Sequence, residues 1–223
     1  MDYHVKRCTG PVALEGDFYR DIQWQNANEI YLGECYRSKA DEGLDKFTSD
    51  VRLKMLYDDQ YIYGLFQVND RYVRAVSKGH PEQVCYDSCV ELFIRPMNNL
   101  RYYNFEFSAN GNMLLYNVTN LRAGEFVPVD SSEYVHIPRY HSLPAYVEPE
   151  IQDPVIWRLG FAIPIDFFVR YGDQVNPDLK GQVWTANVSK CADKTSNPHW
   201  QSWQHLPIVD FHLPESFGKV YFD

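Results

Sequence analysis

Apolar and polar positions alternate with a period of two along much of this chain. In VRLKMLY (51–57), Val51, Leu53, Met55 and Tyr57 fall on one side and Arg52 and Lys54 on the other, as in a strand with one buried face. Asp58 and Asp59 then supply a turn, and YIYGLFQV (61–68) returns as the second arm of a hairpin. CVELFI (89–94) alternates again and stops before Pro96, and YYNFEFSA (102–109) leads into Asn110-Gly111, a strong hairpin turn, from which NMLLYNV (112–118) comes back. WRLGFAI (157–163), QVWTANVSK (182–190) and GKVYF (218–222) are further strands. Helical signals are weak. PIDFFVRYG (164–172) predicts one short helix, with Pro164 in its first turn and Gly172 at its end.

Residues 123–156 hold five of the thirteen prolines and little periodicity, which predicts a long irregular excursion between strands of one core. With no internal repeat, the pattern predicts an all-β fold. It is a single antiparallel β-sandwich over residues 1–223, with long loops and at most one or two short helices.

Composition strengthens this reading. Aromatic residues make up 16% of the 223 positions, 17 of them tyrosine, a bias toward strands. A chain of this length can bury a large core without staples. The formal net charge of −9 and the lack of a Lys/Arg cluster argue against a nucleic-acid partner. No stretch is long and apolar enough to span a membrane as a helix. The start, MDYHVKRCTGPVALEG, lacks the apolar core of a signal peptide. The expectation is a cytoplasmic protein, or a secreted one whose leader has been removed. The five cysteines are odd in number, and Cys85 and Cys89 in an extended stretch would lie about 13 Å apart, too far to bridge. Reduced thiols are expected.

The alternation also assigns faces. Val90, Leu92 and Ile94 share one side of their strand, and Cys89, Glu91 and Phe93 the other. Tyr103, Phe105 and Phe107 oppose Asn104, Glu106 and Ser108, while Trp184, Ala186 and Val188 oppose Thr185, Asn187 and Ser189. If these strands are neighbours, one sheet face displays Glu91, Glu106 and Asn187, to which nearby strands would add Arg52, Lys54 and Arg158. Such a face is either solvated or a platform for a hydroxyl-rich ligand, since carboxylates accept from hydroxyls and an amide does both. Trp157 and Trp184 are expected in the core. The tail HWQSWQHLPIVDFHLPESFGKVYF (199–222) sets six aromatic rings beside turn-formers. Phe217, Tyr221 and Phe222 are read as closing the core, with the rings upstream of Pro214 held toward a ligand.

Several stretches together resemble a known family. They are VRLKMLYDDQYIYGLFQVND, YDSCVELFIRP, YYNFEFSANGNML, WRLGFAIPIDFF and the tail with SWQHL and FHLPESFGKVYF. Their order is similar to that in the family 9 carbohydrate-binding modules, over roughly residues 12–222. The resemblance implies a β-sandwich that binds a mono- or oligosaccharide between two aromatic rings, with charged and amide side chains on its hydroxyls. Glu91 matches an acidic position of the family. Glu106 falls where the family has a sugar-binding arginine, Asn187 near an amide position and Phe211 near one clamp ring. The other ring, expected shortly before Asp87, is missing among Gln83, Val84 and Cys85, so either Tyr86, Trp200 or Trp203 substitutes or the site takes a different ligand. The family also implies structural calcium, for which Asp58, Asp70 and Asp87 are oxygen donors at strand ends, although Asp also favours such turns on its own account.

Three other readings stand beside sugar binding without catalysis. Glu91 and Glu106 could form a glycosidase pair, but an exposed sheet gives no reason for either pKa to rise, as a catalytic acid requires. Haem ligation would draw on Met55, Met97 or Met113. The exposed rings could instead meet another protein.

Overall fold

The computed structural model describes residues 1–38, 43–79, 82–97 and 99–223. Its strands are β1 (Tyr3–Arg7), β2 (Glu29–Tyr31), β3 (Glu34–Tyr36), β4 (Asp50–Tyr57), β5 (Tyr61–Asp70), β6 (Val73–Ala75), β7 (Cys89–Arg95), β8 (Tyr102–Ser108), β9 (Met113–Asn120), β10 (Glu125–Pro128), β11 (Arg139–His141), β12 (Val147–Ile151), β13 (Val155–Pro164), β14 (Val183–Cys191), β15 (Trp200–Ser202) and β16 (Gly218–Phe222). Among the described residues two short α-helices accompany them, α1 (Ile22–Asn26) and α2 (Ile165–Arg170), together with short 3-10 turns.

The strands make a sandwich. One layer runs β10-β9-β8-β7-β14-β16-β1 and the other β11-β13-β5-β4-β1. The hairpins predicted at Asp58-Asp59 and Asn110-Gly111 join β4 to β5 and β8 to β9. Strand β1 belongs to both layers. Tyr3–Val5 pair with β16 and Lys6–Arg7 with β4, in each case parallel, so the sandwich is not wholly antiparallel. The excursion over 123–156 is more ordered than its composition predicts. It contributes β10 to the outer edge of the first layer, β11 to the outer edge of the second, and β12 to a small separate pairing with β6.

The alternation assigns the core correctly. Val90, Leu92, Ile94, Tyr103, Phe105, Phe107, Trp184, Ala186 and Val188 all lie between the layers, facing Val51, Leu53, Phe66, Trp157 and Phe161. The Phe107 ring of the first layer stacks on Phe161 of the second, with centroids 5.0 Å apart. Helix α2 falls where predicted, and Gly172 just beyond it takes φ +85°, a conformation that suits glycine. Gly160 has a different task. A Cβ there would lie 2.2 Å from the backbone oxygen of Leu14, so this strand must pass bare beneath the N-terminal loop. Gly160→Ala is expected to destabilise the fold by about 1–3 kcal/mol through overpacking, read as a lower urea midpoint.

The face opposite the core departs from expectation. Every residue from Cys89 to Ile94 and from Tyr102 to Ser108 is buried, including those that alternation turns outward. A second apolar cluster covers this side, in which Val84, Tyr102, Leu114, Leu206, Phe211 and Leu213 surround Phe93. The face is therefore neither solvated nor an open platform. Arg52, Lys54 and Arg158 are absent from it because their strands form the other layer. Arg52 pairs with Glu29 and Asp50, the Lys54 Nζ donates to the carbonyls of Phe18 and Trp24, and Arg158 binds Asp17.

Candidate functional site

Where the apolar cover stops, a cleft of about 570 Å³ opens onto the outer face of β7, β8 and β14. Its floor is set by strand register. Glu91 of β7 stands opposite Glu106 of β8 on one side and Ser189 of β14 on the other, and Cys89 stands opposite Cys191. One wall is a 3-10 turn over Val84–Tyr86 with Gln83 before it, and β9 adds Tyr116 and β10 adds Phe126. Facing them are Asp193 after β14, Trp200 of β15 and the Val209–His212 segment of the C-terminal loop. That segment is held down by Phe211, packed 6.3 Å from the Phe93 ring, and by His212, whose Nδ1 lies 2.8 Å from the Tyr102 hydroxyl. Trp200 is oriented by its indole N–H, which donates to Asp193 Oδ1 at 2.8 Å.

The two floor carboxyls differ in their partners. Glu91 accepts from the Ser189 hydroxyl at 2.9 Å and from the Cys191 thiol at 3.3 Å, with Cys89 Sγ at 3.8 Å. Glu106 accepts from Asn104 Nδ2 at 3.0 Å through Oε1, while its Oε2 is buried without a partner. Burial pushes the Glu91 carboxyl up to about 7, against the opposing effect of its Cys191 and Ser189 hydrogen bonds. Burial, the neighbouring Glu91 and Asp193 hold Glu106 well above the usual carboxylate range. Burial also raises Asp193, and it lowers His212 to about 4, so that ring is neutral at pH 7. Both carboxyls are perturbed, contrary to the expectation for an exposed sheet, because this sheet face is covered.

Cys89 Sγ, Cys191 Sγ and the Glu91 carboxylate lie within 4.8 Å of one another, the only group of three such donors among the described residues. Burial pushes the Cys89 thiol up to about 12, so as it stands the group is a protonated hydrogen-bonding cluster. All five cysteines are free.

The family model for carbohydrate-binding family 9 matches residues 44–222. The chain belongs to carbohydrate-binding family 9. In solved structures it is similar to a Bacteroides uniformis protein proposed to bind carbohydrate, with 25% identity and a TM-score of 0.82 over 100% of this chain and 99% of the other. Two structures of a family 9 module from Caldicellulosiruptor kristjanssonii share the fold. The cellotriose complex has 12% identity, a TM-score of 0.61 and coverage of 100% and 93%. The glucose complex has 13%, 0.59 and coverage of 100% and 96%. No curated protein matches the chain.

Within this family 9 chain, the residues singled out from sequence separate into two groups. Glu91, Glu106, Phe211 and Trp200 come together around the cleft. Asn187 shares their sheet face but lies outside it, roofed by the backbone after β15. Its Nδ2 donates to Ser202 Oγ and its Oδ1 accepts from the Gln204 N–H, so it fastens one strand to another. Trp203 is turned between the layers, edge-on to Tyr3 at 6.4 Å, and has no face for a ligand. Tyr86 points away from the cleft, and its ring is covered by Lys194 Nζ at 3.7 Å.

The three aspartates offered for calcium are dispersed and already engaged, so they do not form one donor set. Asp58 accepts from the Gln60 and Tyr61 N–H groups and the Tyr63 hydroxyl. Asp87 accepts from the Val76 and Ser77 N–H groups and the Ser108 hydroxyl. Asp70 is bound by Ser49, Trp157 and Lys190. Tyr116, Phe126, Asp193 and His212 were not anticipated as lining residues. For Tyr116 the signal was present, since alternation through Leu114, Tyr116 and Val118 puts it on the Glu106 face.

Proposed function

We propose that this chain is a carbohydrate-binding protein without chemistry of its own, and that the cleft over Glu91 and Glu106 is where the sugar sits. A pyranose has an apolar C–H face and hydroxyls around its rim. It calls for a ring against the face and convergent polar groups at the edge. The observation that carries the reading is the coincidence of both in one concavity. Trp200, Phe211 and Phe126 border it, and Glu106 Oε2, which has no hydrogen-bond partner in the protein, lies at its floor. The volume lies within the range of about 300–1,000 Å³ usual for small-molecule sites. The family 9 modules that bind cellotriose and glucose support the same class of ligand.

Titration calorimetry with glucose, cellobiose and cellotriose tests this. Trp200→Ala and Phe211→Ala are each expected to weaken binding tenfold or more, about 1.4 kcal/mol. Unchanged affinity in both, for a sugar that binds, would remove the site from this cleft.

The raised carboxyls favour one competing reading, glycoside hydrolysis. Two features weigh against it. A hydrolase keeps one carboxylate ionised while raising the other, whereas here burial raises both. Glu91 is also tied down by the Ser189 hydroxyl and the Cys191 thiol, which leaves it poorly placed to attack an anomeric carbon. Turnover of nitrophenyl glycosides that is lost in Glu106→Gln would decide for the enzyme.

A further inference from the structure

We infer that the ligand carries a free amine: the cleft is built for an amino sugar, a hexosamine unit whose ammonium group is received by Glu106. This rests on the reading of the cleft as a carbohydrate site and specifies its ligand.

The first ground is charge. Among the described residues, the cleft is lined by Glu91, Glu106, Asp193 and Asp210 and by no lysine or arginine. Arg122, at the rim, is drawn to Asp210 at 2.6 Å, and Lys194 is spent on the outer side of Tyr86. A uronic or sulfated sugar would meet no cationic side chain in this lining, and its charge would further oppose ionisation of the buried carboxyls. A neutral sugar would leave the field of these groups unused.

The second ground is hydrogen bonding, and it is independent of the charge balance. Glu106 is 6% exposed, and its Oε2 has no donor from any neighbour. Buried polar atoms are almost always satisfied, and an orphan in a native site calls for a missing partner. The other floor groups do not supply that donor, since the Ser189 hydroxyl and the Cys191 thiol donate to Glu91, with Cys89 Sγ beside it. An ammonium has three donors and a full charge. It can reach the orphan oxygen while opposing the charge of the adjacent carboxylate. A hydroxyl supplies one donor and no charge. Burial favours the protonated form of both carboxyls, and an arriving cation favours the ionised form. The bordering rings add to this, because an aromatic face attracts a cation.

The test is calorimetry on the full chain near neutral pH with glucosamine, glucose, N-acetylglucosamine and glucuronate. Glucosamine is expected to bind at least tenfold more tightly than glucose, N-acetylglucosamine to lose that advantage, and glucuronate to bind weakest. In Glu106→Gln, which keeps the acceptor for Asn104, the glucosamine-to-glucose ratio is expected to fall to near one. Asp193→Asn, at the partly exposed wall, should cut the ratio two- to fivefold and serves if the buried variant folds poorly. Glucose binding as tightly as glucosamine, or a preference that survives both substitutions, overturns the inference and leaves the carbohydrate reading intact. No binding of these four sugars or of cellotriose overturns both.

Discussion

Lys190→Met is expected to destabilise the fold by about 3–5 kcal/mol. The Lys190 side chain is fully buried, and so is Asp70, whose Oδ2 lies 3.3 Å from Lys190 Nζ. Lys190 also donates to His199 Nε2 at 2.9 Å, while His199 Nδ1 is occupied by the Asn197 carbonyl at 2.8 Å. Removing the ammonium leaves a carboxylate in the interior with only neutral donors, the Ser49 hydroxyl, the Trp157 indole and the Arg71 backbone N–H. Such an uncompensated charge costs far more than the intact pair contributes. Because β14 and β5 lie in different layers, the pair also ties one sheet to the other. Urea unfolding checks the size, and Asp70→Asn combined with Lys190→Met should recover much of the loss, as coupled neighbours do. A single-variant cost below about 1 kcal/mol would show that the pair is hydrated in solution.

Proton linkage fixes the pH sense. Burial would raise the Asp70 carboxyl, but Lys190, Ser49, His199 and Trp157 outweigh it and hold it below its ordinary value. Burial and the nearby Lys190 lower His199 to about 3. Both folded values lie below the unfolded ones. Their stabilising contribution is therefore present above the unfolded values and is lost as pH falls through the folded ones.

The cleft pair behaves in the opposite sense. The folded value of Glu91, about 7, lies above the ordinary 4.5, and burial and the neighbouring Glu91 raise Glu106 as well. The folded state then binds more protons than the unfolded one between those limits. The chain is most stable below about pH 5 with respect to this pair, and loses that stability as pH rises through the folded values. For Glu91 alone the shift corresponds to about 3 kcal/mol between pH 5 and 8, roughly 6–12 °C in Tm for a chain of this size. Glu106→Gln should raise Tm at pH 8 and flatten the slope, with little change at pH 5. A variant whose Tm tracks the wild type across that range would mean that the pair is not desolvated. Together with the Asp70 cluster, this gives a stability maximum in mildly acidic solution. A bound cationic sugar should move it toward neutrality.

The strand faces were readable from the chain because alternation reports geometry directly. A period of two sends Val90, Leu92 and Ile94 one way and Glu91 the other whatever surrounds them. It does not report what lies over the second face. The cover comes from the C-terminal loop, more than a hundred residues away in sequence, and from β10, inside a segment whose prolines argued for irregularity. For the same reason alternation puts Asn187 on the ligand face but does not show that a neighbouring backbone roofs it. Trp203 was misjudged because β15 is only three residues long, too short for alternation to show which way it turns. Arg52, Lys54 and Arg158 were misplaced because strand order, unlike strand face, is not written in local pattern. Continuing the series Trp184, Ala186 and Val188 by one step puts Lys190 in the interior, where a lysine requires a buried partner.

The double membership of β1 has a kinetic consequence. Tyr3–Val5 are joined to Val220–Phe222, a contact between segments separated by more than two hundred residues. Closing a loop of that length precedes any reward from the pairing, which marks a topology that folds slowly. On the ribosome the first strand must wait, unpaired along one edge, until the last has emerged. The loop bearing Phe211 and His212 directly precedes that last strand, so the cleft should be among the final parts of the molecule to acquire its shape.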